Sequence, residues 1–108
     1  MVEYTLNLDN VFGSLADATR RDILRRLSGK ELSVNEVAEH YSLTLAAISK
    51  HLKVLEQARL ISRRRQGRQS YVTLDPATIR SAEDYLQQYG VMLSQRLDAL
   101  DNYLTKEN

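Results

Sequence analysis

The sequence contains no cysteine and no tryptophan, and it has only one proline and two histidines. Without cysteine there can be no disulfide, no thiolate metal ligand and no thiol nucleophile, and two histidines would leave a zinc site dependent on carboxylates. We therefore expect no cofactor. No stretch approaches the roughly 18 apolar residues of a membrane span, and no basic segment followed by an apolar run opens the chain. These absences favour a cytoplasmic protein with no membrane partner.

Linkers and catalytic motifs are also missing. One proline and four glycines in 108 residues leave no room for a flexible linker, and 43% hydrophobic residues suffice for one compact core. We expect a single domain over residues 1–108. There is no Gly-rich phosphate loop, and neither His40 nor His51 has an obvious catalytic partner. The chain is therefore not expected to be an enzyme.

The formal net charge of +1 hides an uneven distribution of charge. Residues 44–74 carry seven Lys and Arg against one Glu, whereas residues 31–43 and 75–108 are acidic. Five arginines fall within ten positions of that basic segment: Arg59, Arg63, Arg64, Arg65 and Arg68. Such an asymmetry is expected when one face of a protein meets a polyanion.

Helical spacing of apolar residues predicts four short helices before residue 59. The first ends near Ala16, and Asp17 can cap the second, which Gly29 is placed to stop. "SVNE" at 33–36 matches a capping box, in which a Ser and a Glu satisfy each other's free backbone donors, and it opens the third helix. A fourth helix is predicted over about 44–58, with Thr44 as its cap and a buried stripe of Ala47, Ile48, Leu52 and Leu55.

The third and fourth helices, joined by a short turn, have the helix-turn-helix pattern. That pattern alone also occurs in helical cores that bind no nucleic acid. Here it is followed by "LISRRR" and "QSYVTL", which predict two strands around "QGR", where Gly67 supplies the positive φ of a tight hairpin. The predicted fold is thus mainly α with a small β-hairpin: a winged helix-turn-helix of about five helices and a two-stranded wing over 61–74.

Clustered arginines on an exposed strand can be a solvated edge that blocks aggregation, but one or two charges would serve that purpose. The guanidinium fork suits phosphate oxygens, and a wing is placed to meet the DNA backbone or the adjacent minor groove. We therefore expect double-stranded DNA as a partner. The predicted wing contacts are Arg63, Arg64, Arg65, Arg68, Gln69 and Tyr71.

The fourth helix is the candidate recognition helix, which would lie in the major groove. Its predicted outward residues near base edges are Thr44, Leu45, Ala46, Ser49 and Lys50. Lys53 is expected to contact a phosphate. His51 lies at the margin of this face, where a DNA contact and simple packing between wing and helix are equally compatible with the pattern.

The last third of the chain carries a long apolar seam. "DP" at 75–76 predicts a helix start, and the seam continues to residue 104. A helix over 76–104 is about 40 Å long, more than a small winged domain can cover. Packing against the chain's own first helix can cover part of it, and a two-fold homodimer would cover the rest. The predicted interface is Leu8, Val11, Phe12, Leu86, Tyr89, Leu93, Leu97, Leu100 and Leu104, while Gly90 marks either a close helix crossing or a kink.

Three stretches, "LADATRRDILRRL", "SKHLKVLEQARLI" and "RRRQGRQSYVTLD", resemble in order and spacing the ArsR/SmtB (arsenic-repressor) family of dimeric winged-helix transcriptional regulators. The resemblance covers about residues 8–75. It implies a sequence-specific DNA-binding regulator, most often a repressor, acting at an inverted-repeat operator. The C-terminal "YLQQYGVMLSQRLDAL" is similar to a metal-independent branch of that family.

Three departures from the family pattern bear on function. Ser33 and Asn35 occupy the positions of the Cys-x-Cys pair of arsenic sensors, and no histidine follows residue 76 to match the zinc sensors. Metal sensing is therefore not expected, and no small-molecule effector is identified. Where the family usually has glycine after the recognition helix, this chain has Arg59, and a positive φ there would cost about 1 kcal/mol.

The alternative function is a winged-helix protein–protein interaction module without specific DNA binding. Such a module would more typically carry acidic or apolar residues on its recognition helix and no wing arginines. RNA is a weaker candidate partner, because a recognition helix cannot enter the deep, narrow major groove of A-form RNA.

Overall fold

The computed structural model describes residues 7–106 of the chain. The elements, in chain order, are α1 (Leu8–Leu15), α2 (Ala18–Arg26), β1 (Leu32–Ser33), α3 (Val34–Ala38), α4 (Leu45–Gln57), β2 (Ile61–Gln66), β3 (Gln69–Leu74) and α5 (Pro76–Lys106). Helices α3 and α4 form the helix-turn-helix, and β2 and β3 form the wing. The predicted winged-helix class is confirmed.

Local capping chemistry fixes where most helices begin. The Ser33 hydroxyl accepts a hydrogen bond from the Glu36 amide at 3.1 Å, and the Glu36 carboxylate accepts one from the Ser33 amide at 2.8 Å, which completes the predicted capping box. These bonds lower the pKa of Glu36. Thr44 caps α4, as predicted, by accepting from the Ala47 amide at 3.1 Å. Asp17 occupies the N-cap position of α2, but its side chain makes no cap hydrogen bond, so its predicted capping role is wrong.

The predicted two-stranded wing is present as β2 and β3, and a third, short strand that the sequence did not predict extends the antiparallel sheet in the order β1-β3-β2. The extra strand pairs Leu32 with Val72 and Ser33 with Tyr71. Two residues are too few to show a strand pattern in sequence, so only the approach of β3 creates this strand. The hairpin turns at Gly67, whose φ of 62° is the positive value that the sequence predicted.

The core is built from one face of each helix and from the strands. Ile48, Leu52 and Leu55 of α4 are completely buried, in agreement with the predicted stripe. They pack with buried side chains of α1, α2, α3 and the sheet: Val11, Ile23, Leu27, Val37, Leu60, Ile61 and Val72. Val11 is therefore enclosed by its own protomer, which corrects its assignment to a dimer interface.

A polar cluster ties α2 to the end of α3. The Tyr41 hydroxyl donates to Asp22 Oδ2 at 2.5 Å, and the Arg26 Nε donates to the same oxygen at 2.9 Å. Together with Arg25, these groups hold the pKa of Asp22 far below its usual range. Because Tyr41 lies in the turn between α3 and α4, this carboxylate helps to fix the angle between the two helices.

Helix α5 runs without a break for 31 residues, or about 46 Å, and it extends beyond the rest of the fold. The radius of gyration is 18.9 Å, whereas a compact domain of 100 residues has about 13 Å. The helix continues through Gly90, and a methyl group added there would meet no atom within 4 Å among the described residues. Past its first two turns, the seam residues are more than half exposed: Leu86, Tyr89, Leu93, Leu97, Leu100 and Leu104.

Arg59 has a φ of 61° at the end of α4, as the sequence comparison with the family pattern predicted. The Leu60 amide donates to the Leu55 carbonyl at 3.0 Å and the Arg59 amide to the Glu56 carbonyl at 3.0 Å. This is a Schellman arrangement, in which the residue at the position of Arg59 is usually glycine because a Cβ is strained there.

We predict that Arg59→Gly raises the melting temperature by roughly 4 °C, since relief of a left-handed side chain stabilises by about 1 kcal/mol. The same variant should weaken DNA binding, because it removes a cation next to the wing. Differential scanning calorimetry at a fixed protein concentration checks the first effect. Gln57→Gly, in the last turn of α4, is the matched control and should lower the melting temperature. An unchanged or lower value for Arg59→Gly would contradict the strain.

Candidate nucleic-acid interface

The outward face of α4 follows from the burial of its other face. Leu45 is 54% exposed, and Ala46, Lys50 and Lys53 are also exposed, while Ser49 is half-buried. Four of these five residues line a shallow concave surface together with Ala47. Thr44 lies at the start of this face, where its hydroxyl is already engaged in the cap. The face therefore combines apolar groups, one hydroxyl and two ammonium groups.

His51 of α4 contacts the start of α2. Its Nδ1 lies 3.3 Å from Nη1 of Arg20 and 3.7 Å from Oδ2 of Asp17, both at the start of α2. The contacts of His51 that the structure shows are thus with the start of α2. The ring fills the junction of α4 with α1 and α2, and its side chain remains 23% exposed.

The wing arginines alternate between the two faces of β2, because successive side chains of a strand point to opposite sides. Arg63 lies on the side of α4, with its Nε 3.7 Å from the Glu56 carboxylate. Arg65 donates weakly to the Gly67 carbonyl, at 3.4 Å. Arg68, at the tip, has no carboxylate partner in residues 7–106. Arg63, Arg68 and Gln69 share a small polar cavity with the start of α3.

Arg64 is in a different situation, because each of its three guanidinium nitrogens donates to a side chain of the protein. It donates to both carboxylate oxygens of Glu31, at 2.8 and 2.6 Å, and to the Gln66 side chain at 2.6 Å. Its guanidinium carbon also lies 4.6 Å from the ring centre of Tyr71, the residue directly opposite on β3. The hydrogen bonds from Arg64 lower the pKa of the Glu31 carboxyl group. Arg64 therefore fixes the wing to the segment before β1 rather than offering an unpaired charge.

Sequence reasoning missed the acidic and basic partners of these side chains. Glu31 lies 33 residues from Arg64, and Arg20 lies 31 residues from His51, so no local pattern connects them. The short paired strand β1 brings Glu31 to the wing, and the packing of α2 on α4 brings Arg20 to His51. In the sequence, Glu31 and Arg20 look like any other charged surface residues.

No group of three or more potential metal-binding side chains occurs within the part of the chain that the structure covers. Of the two positions that would hold thiolates in a metal sensor, Ser33 is the cap of α3 and belongs to the capping box, and Asn35 lies in the first turn of α3. Among residues 7–106, no helix is both long and apolar enough to cross a membrane.

Comparison with known proteins agrees with this architecture. Residues 15–64 match the family model described as a helix-turn-helix domain. The chain is 34% identical over 79 residues to the transcriptional repressor SdpR of Bacillus subtilis, covering 73% of this chain and 88% of SdpR. It is 37% identical over 81 residues to the HTH-type transcriptional regulator Rv2034 of Mycobacterium tuberculosis, covering 75% and 76% of the two chains.

The fold is shared with solved structures over nearly the whole chain. The ArsR-like transcriptional regulator from Rhodococcus sp. RHA1 superposes with a TM-score of 0.81 at 27% identity, covering 92% of this chain and 91% of that one. The matches in sequence and in fold support a DNA-binding regulator and give no support to a pure protein-interaction module. The chain belongs to the ArsR/SmtB family of winged-helix DNA-binding transcriptional regulators.

Proposed function

We propose that the protein is a cytoplasmic, homodimeric transcriptional repressor that binds an inverted-repeat operator, with α4 in the major groove and the wing on the backbone or minor groove. One observation carries the placement of DNA: residues 44–53, which are the N-cap and the first nine residues of α4, contain no acidic residue, and α4 adjoins the arginine-bearing strand β2. A polyanion is the complementary partner for such a surface.

The residues of α4 fit distinct roles in a major groove. Leu45 and Ala46, in its first turn, are small or apolar and exposed, as contacts to thymine methyl groups require. Ser49 and Lys50, one turn later, can hydrogen-bond base edges. Lys53, further from the helix start, is placed for a phosphate contact, since only the N-terminal part of a recognition helix lies deep in the groove.

The wing contributes through Arg63, Arg65, Arg68 and Gln69. Arg65, Arg68 and Gln69 are exposed at or near its tip, whereas Arg63 lies further along β2 beside Glu56. Arg64 and Tyr71 have a supporting role in this proposal, because their contact with each other and with Glu31 holds the strand at a fixed angle. A wing held this way can present its free arginines without a large loss of conformational freedom on binding.

The dimer rests on the exposed seam of α5. The six seam side chains from Leu86 to Leu104 are each more than half exposed in the single chain, which is an unusual amount of contiguous apolar surface for a monomer. The ring centre of Phe12 in α1 lies 6.3 Å from that of Tyr85, and the ring centre of Tyr85 lies 5.4 Å from that of Tyr89. A row of aromatic rings therefore links α1 to this seam. A two-fold axis through α5 would place two α4 helices about one turn of DNA, roughly 34 Å, apart.

The proposal as a whole is tested by fluorescence anisotropy on a duplex from upstream of the protein's own gene and on a scrambled duplex, at several salt concentrations. We expect a preference of about a thousandfold for the upstream duplex. About six phosphate contacts per protomer give an expected log–log salt slope of about −5 or steeper. Weak, equal and salt-insensitive binding would contradict specific DNA recognition and would favour a protein-interaction role.

Arg64 and Arg68 should behave differently when each is replaced by glutamine. Arg68→Gln should reduce the magnitude of the salt slope by about 0.9, because one phosphate contact is lost. Arg64→Gln should weaken binding and leave the slope unchanged, because Arg64 already has Glu31 as its partner. Glu31→Gln is the matched variant: it should weaken binding as Arg64→Gln does. Tighter binding by Glu31→Gln would identify Arg64 as a phosphate contact that Glu31 merely masks.

The dimer is tested by Leu97→Glu, which places a carboxylate within the seam. Sedimentation velocity at micromolar concentration should show a dimer for the wild type and a monomer for the variant, and the operator affinity of the variant should fall strongly. Gln95→Glu introduces the same charge on the opposite side of α5, and it should leave both properties unchanged. A monomeric wild type would remove the dimer and the inverted repeat together.

A further inference from the structure

Arg20 occupies the junction between α1, α2 and the recognition helix. Its Nε donates to the Ser14 carbonyl at 2.7 Å and its Nη2 to the Gly13 carbonyl at 3.2 Å. These carbonyls lie at the C-terminal end of α1, where a helix leaves acceptors without partners of its own. The side chain is only 18% exposed. These two hydrogen bonds to the end of α1 therefore fix the position of the Arg20 guanidinium.

The third contact of Arg20, with His51, determines which ring nitrogen of His51 carries the hydrogen. Nη1 of Arg20 lies 3.3 Å from Nδ1 of His51. Arginine has donors and no acceptor, so Nδ1 must be the acceptor in this bond. A neutral imidazole that accepts at Nδ1 carries its hydrogen on Nε2. The geometry thus selects one of the two tautomers of His51.

The remaining donor of His51 has no partner in the described part of the chain, residues 7–106. The hydrogen bond to Arg20 and the approach to Asp17 both use Nδ1, and the side chain keeps 23% of its surface exposed. His51 follows Lys50 and precedes Lys53 by two residues on α4, at the margin of the outward face. Nε2–H is therefore a donor without a protein partner among residues 7–106, on a partly exposed side chain at the margin of that face.

Asp17 lies beside Arg20 and His51, and one of its carboxylate oxygens is in an unusual environment. Its side chain does not cap α2, and its Oδ2 is buried without a hydrogen-bond partner among the described residues. That oxygen lies 4.0 Å from Nη1 of Arg20 and 3.7 Å from Nδ1 of His51. A buried oxygen without a partner is unfavourable, so its retention calls for a reason. Here its charge balances the guanidinium that faces the imidazole.

We propose that Arg20 and Asp17 are positioning residues that hold His51 in its Nε2–H tautomer, so that the recognition helix presents a neutral hydrogen-bond donor to a DNA phosphate. This inference rests on the proposed DNA-binding function of α4. A phosphate at the margin of the helix fits the position of His51, because base edges are reached from the first turns of the helix. A neutral donor contributes affinity without releasing a counterion, unlike the lysines beside it.

The tautomer is tested directly by two-bond 1H–15N correlation spectra of the full-length protein, labelled with 15N on histidine and recorded at mildly alkaline pH. The His40→Gln variant removes the second histidine and identifies the signals of His51. We expect the pattern of an Nε2–H imidazole in the wild type and a mixture of tautomers in Arg20→Lys, which keeps the charge but loses the fork. A predominant Nδ1–H tautomer or an imidazolium in the wild type would overturn the proposal.

The role in binding is tested by anisotropy with the upstream and scrambled duplexes. His51→Leu should weaken binding to both by about tenfold with an unchanged salt slope, as expected for loss of one hydrogen bond to a charged acceptor. His51→Gln, which retains an amide donor, should recover most of the affinity, and His40→Gln should bind as the wild type does. A His51→Leu protein with wild-type affinity would overturn the proposal.

A double-mutant cycle separates positioning from general structural support. If Arg20 acts through His51, then Arg20→Lys should weaken binding several-fold in the wild type and have no further effect in the His51→Leu protein. Equal losses in both backgrounds would overturn the positioning role. Asp17→Ala provides the same comparison should Arg20→Lys unfold. Failure of the wild type to bind either duplex would instead contradict the proposed function, which keeps the two failures distinct.

Discussion

The burial of one stripe on α4 determines most of what this protein presents to solvent. Ile48, Leu52 and Leu55 are completely enclosed, and each contributes about 1.5–3 kcal/mol through removal of its side chain from water. Because successive helical residues turn by a fixed angle, enclosing this stripe forces Leu45, Ser49 and the two lysines to the opposite side. The outward surface of α4, on which we propose that DNA binds, is therefore a consequence of core packing and needs no separate folding signal.

Charge is distributed more selectively than the sequence count implies. The segment 44–74 is strongly basic, yet Arg64 is held by Glu31 at 2.6 Å and Arg63 lies 3.7 Å from Glu56. Exposed ion pairs of this kind contribute little to the free energy of folding. Their effect is to fix the directions of strands and side chains, so that some arginines orient the wing and others remain available to a phosphate.

Helix α5 leaves a row of apolar side chains uncovered in the single chain, whereas the winged domain encloses its own core. Ile79 and Ala82 pack against the core, whereas the seam from Leu86 to Leu104 has little to cover it within the protomer. Burying that seam would be favourable, because the gain grows with the apolar area removed from water. The aromatic row from Phe12 through Tyr85 joins this seam to α1, which connects the surface to the domain that carries α4.

The sequence by itself determined the features that depend on neighbouring residues: the capping box at Ser33, the cap at Thr44 and the glycine turn at Gly67. The left-handed Arg59 was indicated by the resemblance to the family pattern. Periodicity likewise predicted the buried stripe of α4 and the extent of α5. Only the tertiary structure decided which distant groups meet. Strand β1, the pairing of Arg64 with Glu31, and the contact of Arg20 with His51 join residues more than 30 positions apart. Such contacts leave no periodic or local signal, because they arise from packing whole elements together.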